Sequence, residues 1–204
     1  MSPVVAPLTK ARLQAAGIGA FFRPRDIKPL GVSFRQLKGL VTSGAVERIG
    51  DGLYRLSEIE PTEMETIAMV AFAAPSAIVC LLTALRVHEI GTQSPHEVWI
   101  ALDRKSRKPA RLPARARIVR FSGVMLTYGV IRRSMLGVSV PITSPARTVV
   151  DCFRYRNKVG VDVAMEALRD AVRSRKATAE EISRAAEVCR IRTVIAPYLE
   201  ALSA

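Results

Sequence analysis

"SFRQLKGLVTSGAVERIGDGLYRLS", residues 33–57, sets two patterns of different period side by side. In its first half Phe34, Leu37, Leu40 and Val41 fall at helical spacing on one stripe, with Ser33 placed to cap a helix and Gly44 to stop it. Arg35, Gln36, Lys38 and Thr42 occupy the opposite face. In the second half two short arms flank Gly50-Asp51-Gly52, and Asp-Gly between strand-like arms signals a primed hairpin turn. Pairing Gly50 with Leu53 across that turn puts Arg48 opposite Arg55. Like charges facing across strands destabilise a hairpin.

Upstream, a helix from about Leu8 to Ala16 closes at Gly17; a second opens with Pro24, carries Ile27 and gives way near Pro29 to Gly31. Helix, glycine turn, helix with a polar and basic outer face, then basic hairpin is the order of a winged helix-turn-helix. On that reading the wing carries Arg48, Tyr54 and Arg55, and DNA phosphates offset the repulsion between the arginines. The Ser33 helix enters the major groove, where Gln36 can pair with adenine at two points and Arg35 or Lys38 with guanine or phosphate. Ser33 and Thr42 complete the candidate DNA-binding set. Any one of these polar residues alone is ordinary solvated surface; their ordered combination carries the expectation.

The charge map agrees. The chain has 204 residues, 49% of them hydrophobic, enough for one or two domains with a real core, and a formal charge of +13 that favours a polyanionic partner. Residues 1–57 hold nine Lys or Arg against three Asp or Glu, and 104–133 hold ten against none, whereas 58–103 hold one against seven. Three cysteines, Cys80, Cys152 and Cys189, lie far apart without metal-ligand spacing, which fits a reducing cytoplasm and predicts neither disulfides nor zinc. No signal-peptide core opens the sequence.

Residues 67–85, "IAMVAFAAPSAIVCLLTAL", run 19 positions without a charge, close to the ~20 that span a bilayer. Six alanines and the Ala74-Pro75-Ser76 break predict instead two buried helices, the second capped by Ser76, and no membrane partner.

The expected fold class is α+β: an N-terminal winged helix-turn-helix, residues 1–57, followed by a mixed α/β C-terminal domain, residues 62–204, the two joined near "SEIEPTE", 57–63. In the second part "HEVWIALD", "ARIVRFS", "LTYGVIRR" and "LGVSVPITS" lean to strands. Helices are expected from "SPARTVVDCFRY", capped by Ser144, and from "VDVAMEALRDAVRSR", with Val161, Ala164, Leu168, Ala171 and Val172 on one face. A further helix has a Thr178/Glu181 capping box, and "RTVIAPYLEAL" closes the chain.

"GLVTSGAVERIGDGLYRLS", "CLLTALRVHEIGTQSPHEVWIALDRKSRKP", "SPARTVVDCFRYRNKVGVDVAMEALRDA" and "CRIRTVIAPYLEAL" together resemble the AbiEi antitoxins of type IV toxin-antitoxin systems. The resemblance runs over nearly the whole chain. It implies a winged helix-turn-helix that represses the operon by binding inverted repeats in its own promoter, and a C-terminal domain that counters a nucleotidyltransferase toxin encoded alongside. It brings no catalytic residues, metal or cofactor. One departure is local: Pro29 falls late in the first helix of the motif, where members keep a regular helix end.

The loop "DRKSRKPARLPARARIVR", 103–120, carries Arg104, Lys105, Arg107, Lys108, Arg111, Arg115 and Arg117 with no acid after Asp103, and Pro109 and Pro113 keep it extended. DNA phosphates, the toxin, its RNA or nucleotide substrate, and plain solvent are all open as its surroundings. No Walker A loop, dinucleotide fingerprint or nucleophile elbow occurs, and His88 and His96 stand without a partner at ligand spacing, so no enzyme is expected. Glu97 with Asp103, Arg104 and Lys105 forms at most a cramped fragment of a metal-dependent nuclease site. An orphan winged-helix regulator with a ligand-binding or dimerising C-terminal half remains the alternative function.

Overall fold

A computed structural model describes residues 8–57 and 63–203, with the side chains of Lys10 and Ser203 left aside. The expected junction at 57–63 falls largely outside the described residues. The chain folds as two units, each with its own packing. The first takes the described residues up to Ala74 together with Pro109–Ala114 and Ser134–Ser139; the second takes Pro75–Lys108, Arg115–Arg133 and the chain from Val140 on.

In the first unit, Thr9 caps α1 (Lys10–Ala15), its hydroxyl accepting from the Arg12 N–H, and β1 (Phe21–Phe22) follows. Helix α2 (Pro24–Ile27) opens with Pro24, where the missing N–H costs nothing. Pro29 is accommodated by a 3-10 turn, Lys28–Leu30, which Gly31 ends at φ +75°. The helix before it is therefore short, and the departure noted in the sequence is absorbed locally. Ser33 caps α3 (Phe34–Thr42), after which β2 (Val46–Gly50) and β3 (Leu53–Leu56) form the hairpin. The three strands order β1-β3-β2, completing a winged helix-turn-helix. Leu13, Phe22, Ile27, Leu37, Val46, Tyr54 and Leu56 fill its core.

Helix α4 (Glu63–Ala73) packs in this same unit. Phe72 lies 6.2 Å from the Phe21 ring, Arg23 stands over it at 5.6 Å, and Glu65 is buried against Arg55.

In the second unit the apolar run continues differently from expectation. Ser76 caps nothing; it sits in a turn before a short strand, β4 (Ile78–Val79), and α5 (Leu81–His88) begins only after Cys80. The strand forms because partners distant in sequence complete it: Ile78 and Val79 pair with Ala101 and Ile100, and Val79 also with Ile142. Among the described residues no helix is long and apolar enough to cross a membrane. Strands β5 (Val98–Asp103), β6 (Ala116–Phe121), β7 (Val130–Met135) and β8 (Val138–Thr143) complete a mixed sheet ordered β6-β5-β4-β8-β7. The "LTYGVIRR" stretch is strand only from Val130, because Gly123–Leu126 forms a 3-10 turn and 127–129 a further turn.

Helices α6 (Pro145–Arg154), α7 (Arg156–Val159), α8 (Val161–Arg173), α9 (Ala179–Val188) and α10 (Arg192–Ser203) follow. The Thr178/Glu181 capping box forms, with Thr178 Oγ1 accepting from the Glu181 N–H at 3.1 Å. On α8 the buried face is Val163, Ala164, Ala167, Leu168 and Ala171; Val161, expected on it, is exposed at the helix start. The fold is α+β.

At the centre of this unit Arg147 and Asp151 are both fully buried, one helical turn apart, with Arg147 Nε donating to Asp151 Oδ1 at 2.9 Å. Arg147 also donates to the Met125 and Tyr128 carbonyls and lies over the Phe121 ring at 5.2 Å. Asp151 Oδ2 is buried without a hydrogen-bond partner among the described residues. Burial pushes the Asp151 carboxyl up to about 6, against the pull of the Arg147 charge.

Candidate nucleic-acid interface

The wing departs from the register expected for it. Gly50 does pair with Leu53, but the register then shifts, so that Arg48 faces Tyr54, Glu47 faces Arg55 and Val46 faces Leu56. Ile49 is the extra residue of a β-bulge, which locally places two residues of one strand against one of the other. Arg48 and Arg55 therefore do not face each other, and no like-charge repulsion has to be explained. The bulge replaces it with an attractive cross-strand pair.

Arg55 is not a free wing cation. Its Nη2 lies 2.7 Å from Glu47 Oε2, its Nη1 donates to Glu65 Oε1, and its side chain is only 14% exposed. Burial works against its charge, yet the hydrogen bonds and charges of Glu47 and Glu65 outweigh it and hold its pKa above the ordinary value. Tyr54 points inward and stacks near Phe22, with ring centroids 6.1 Å apart. Of the three expected wing contacts, Arg48 alone is solvent-facing; it reaches back to the Gly50 carbonyl at 3.2 Å and to Asp51 at 3.4 Å.

On α3 the geometry brings Arg35, Gln36, Lys38 and Thr42 to the exposed side, while Leu37 is buried and Leu40 and Val41 half-buried. Phe34, expected on the apolar stripe, instead stands out of the helix at 59% exposure, with Lys38 Nζ 5.8 Å from its ring centre. Successive residues turn by about 100°, so Phe34 lies at the edge of the Leu37–Leu40–Val41 stripe and its burial is decided by what lies beside the helix.

Ser33 and Gln36 form a reciprocal capping box. Ser33 Oγ accepts from the Gln36 N–H at 3.3 Å, and Gln36 Oε1 accepts from the Ser33 N–H and hydroxyl, both at 2.8 Å. A Gln pairing with adenine at two points needs both its carbonyl and its amide nitrogen. The cap occupies the carbonyl, so two-point reading requires the cap to open. Thr42 is likewise engaged, its hydroxyl donating to the Lys38 carbonyl at 3.0 Å. Gly39, in the middle of the exposed side, has no atom within 4 Å of where a Cβ would sit.

Of the 103–120 stretch only residues 104–115 are irregular, Arg117 lying on β6, and Arg104, Lys105, Arg107, Lys108, Arg111, Arg115 and Arg117 are all exposed. Two of its cations are tied down. Arg117 sits over the Trp99 ring at 5.0 Å, and Arg120 donates to the Asp103 and Ser106 carbonyls. Asp103 turns back to accept from the Lys105 N–H at 2.9 Å. His88 is occupied structurally, its Nε2 2.7 Å from the Thr143 carbonyl, and burial lowers its pKa.

The Arg55–Glu65 pair is hidden from a reading of the sequence because its members lie in separate elements. A buried acid at the start of an apolar helix is its one available signal.

Residues 13–57 match a family model described as transcriptional regulator, AbiEi antitoxin. No curated protein matches the chain at a significant level. Among solved structures, the RV2827C protein from Mycobacterium tuberculosis is similar with a TM-score of 0.59 and 14% identity, over 87% of this chain and 68% of that one. At that identity the likeness speaks for the fold alone. The family model matched by residues 13–57, from within α1 through the wing, is thus that of the AbiEi antitoxins, the family that the sequence resembles.

Proposed function

We propose that the protein is an operon-repressing antitoxin: the winged unit binds promoter DNA through α3 and the tip of the wing, and the remainder of the chain counters a nucleotidyltransferase toxin encoded beside it. The observation that carries the DNA half is the exposed side of α3, where Arg35, Lys38 and Thr42 stand out opposite a buried Leu37 within a segment of regulator type. Arg48 at the turn adds a phosphate contact one strand away. Gln36 serves as a base reader only when its cap opens. Arg55 and Tyr54 support the wing from inside. The 104–117 cations supply a second polyanion-binding stretch, whose partner is DNA phosphate or the toxin's nucleic-acid substrate.

The resemblance of the full sequence to type IV antitoxins supports the toxin-countering half. Two assays on the full chain test the reading together: a gel shift with the DNA upstream of its own gene, and growth rescue of cells expressing the adjacent toxin gene. A promoter shift with rescue is the expected result. A shift without rescue would favour the orphan-regulator alternative, and no shift would remove the DNA-reading half.

A further inference from the structure

Among the described residues the aromatic ring of Phe34 is left largely in solvent, with the Lys38 ammonium over it. It occupies the first position of α3, immediately after the Ser33 cap, and is the most exposed of the large apolar side chains on the surface of the described residues. A lone exposed apolar residue needs no explanation in general. This one differs in its setting, because Arg35 follows it, Lys38 stands one turn along on the same side with its ammonium over the ring, and no acid lies on the helix. A phenyl ring held among cations at the leading end of a helix fits a surface that is anionic outside and offers apolar groups within. The major groove of DNA has that character: phosphates line its edges, and its one protruding apolar group is the thymine C5-methyl, which Phe can contact. The N-terminal residues of a recognition helix are those that reach base edges.

We propose that Phe34 reads a thymine, packing its ring against the C5-methyl at one position of the bound site while Arg35 and Lys38 hold the flanking phosphates. This rests on α3 being the DNA-reading helix. It adds a base identity carried by an apolar contact, independent of the capped Gln36. Burying one methyl group is worth about fourfold in affinity, so the effect is modest but measurable.

The experiment uses the full chain and the shortest duplex from its own promoter that it binds. Each thymine is replaced in turn by deoxyuridine, which removes the methyl and nothing else, and affinity is measured for the wild type, Phe34→Ala and Phe34→Leu. The expected result is at least one position of the site where deoxyuridine weakens the wild type about fourfold, leaves Phe34→Ala unaffected, and still weakens Phe34→Leu, which keeps an apolar contact. Identical deoxyuridine profiles for wild type and Phe34→Ala at every position would overturn the proposal while leaving α3 as the reader. Failure of the wild type to bind any promoter duplex would overturn both. Because Phe34 is exposed, the Ala variant should keep the wild-type melting temperature, which separates a reading role from a folding one.

Discussion

Arg55 in the wing and Glu65 at the start of α4 form an ion pair in which the carboxylate side chain is 3% exposed and the guanidinium 14%. The pair ties the hairpin to the helix that follows it, so the wing is held from behind by a charge contact as well as by apolar packing. Removing Glu65 leaves Arg55 its 2.7 Å contact with Glu47 but takes the partner from its Nη1, and a buried donor without a partner is destabilising. Glu65→Ala should therefore cost about 1–3 kcal/mol in urea unfolding, whereas the double variant Arg55→Met/Glu65→Leu should recover much of that loss. A cost within ~0.5 kcal/mol for Glu65→Ala would mean that the charge is solvated after all.

Arg48 and Arg55 should separate in their DNA behaviour. Replacing Arg48 by Ala is expected to lower the slope of log affinity against log salt by about one unit, uniformly across sequences. Arg55→Met should leave that slope unchanged, because its charge is already spent on Glu47 and Glu65. A reversal of the two results would place Arg55, and not Arg48, at the phosphates.

For Gln36 the cap offers a clean discriminator. Glutamate at the same position preserves the capping box, so Gln36→Glu should retain stability yet lose DNA affinity through the added negative charge. Gln36→Ala should lose a fraction of a kcal/mol of stability, on the order of one hydrogen bond. If Gln36→Ala binds promoter and random DNA with the wild-type ratio, Gln36 is a cap and no reader.

Gly39 stands in the middle of α3 with open space where a Cβ would go and no positive φ to require glycine. Alanine there should stabilise the helix by roughly 0.5–1 kcal/mol, raising Tm by about 1–4 °C. The same methyl would lie between helix and DNA, so binding should weaken by about tenfold, on the order of 1.4 kcal/mol. Calorimetry and a gel shift on one preparation read the opposed signs; equal or tighter binding would show that the DNA never approaches this part of the helix.

Asp151 provides a pH prediction. Its folded pKa of about 6 lies above the ordinary 3.8, so the native chain holds this proton more tightly than the unfolded chain. Its contribution to stability is therefore greatest below about pH 4 and is lost as pH rises through about 6. Asp151→Asn keeps an acceptor for Arg147 and removes the titration. The stability difference, wild type minus Asp151→Asn, should fall between about pH 4 and 7 in urea melts; a difference that grows over that range would mean that the Arg147 charge, and not burial, governs the carboxyl.

Much of the architecture can be read from local signals because those signals are complete in themselves. Ser33 with Gln36, and Thr178 with Glu181, close their caps within one turn, and Asp51-Gly52 makes the hairpin turn from its own residues. What stays hidden depends on partners far along the chain. Ile78 and Val79 look like helix until Ile100, Ala101 and Ile142 offer them a sheet. Phe34 looks like core because periodicity ranks it with Leu37 and Val41, and only the packing beside the helix sets it outside. The expected face-off of Arg48 and Arg55 fails for a related reason: it presumes a regular hairpin, whereas the acid opposite Arg55 sits one residue nearer the start of the strand.

Side chains along a strand alternate like odd and even numbers, and the extra residue at Ile49 changes the parity of everything before it. Without that change Glu47 would face Leu56 in the core and Val46 would turn to water. Within this hairpin the loss of Ile49 consequently leaves the pairs Val46–Leu56, Glu47–Arg55 and Arg48–Tyr54 intact. The wing thus has a place where chain length can drift by a single step, and it lies beside the turn.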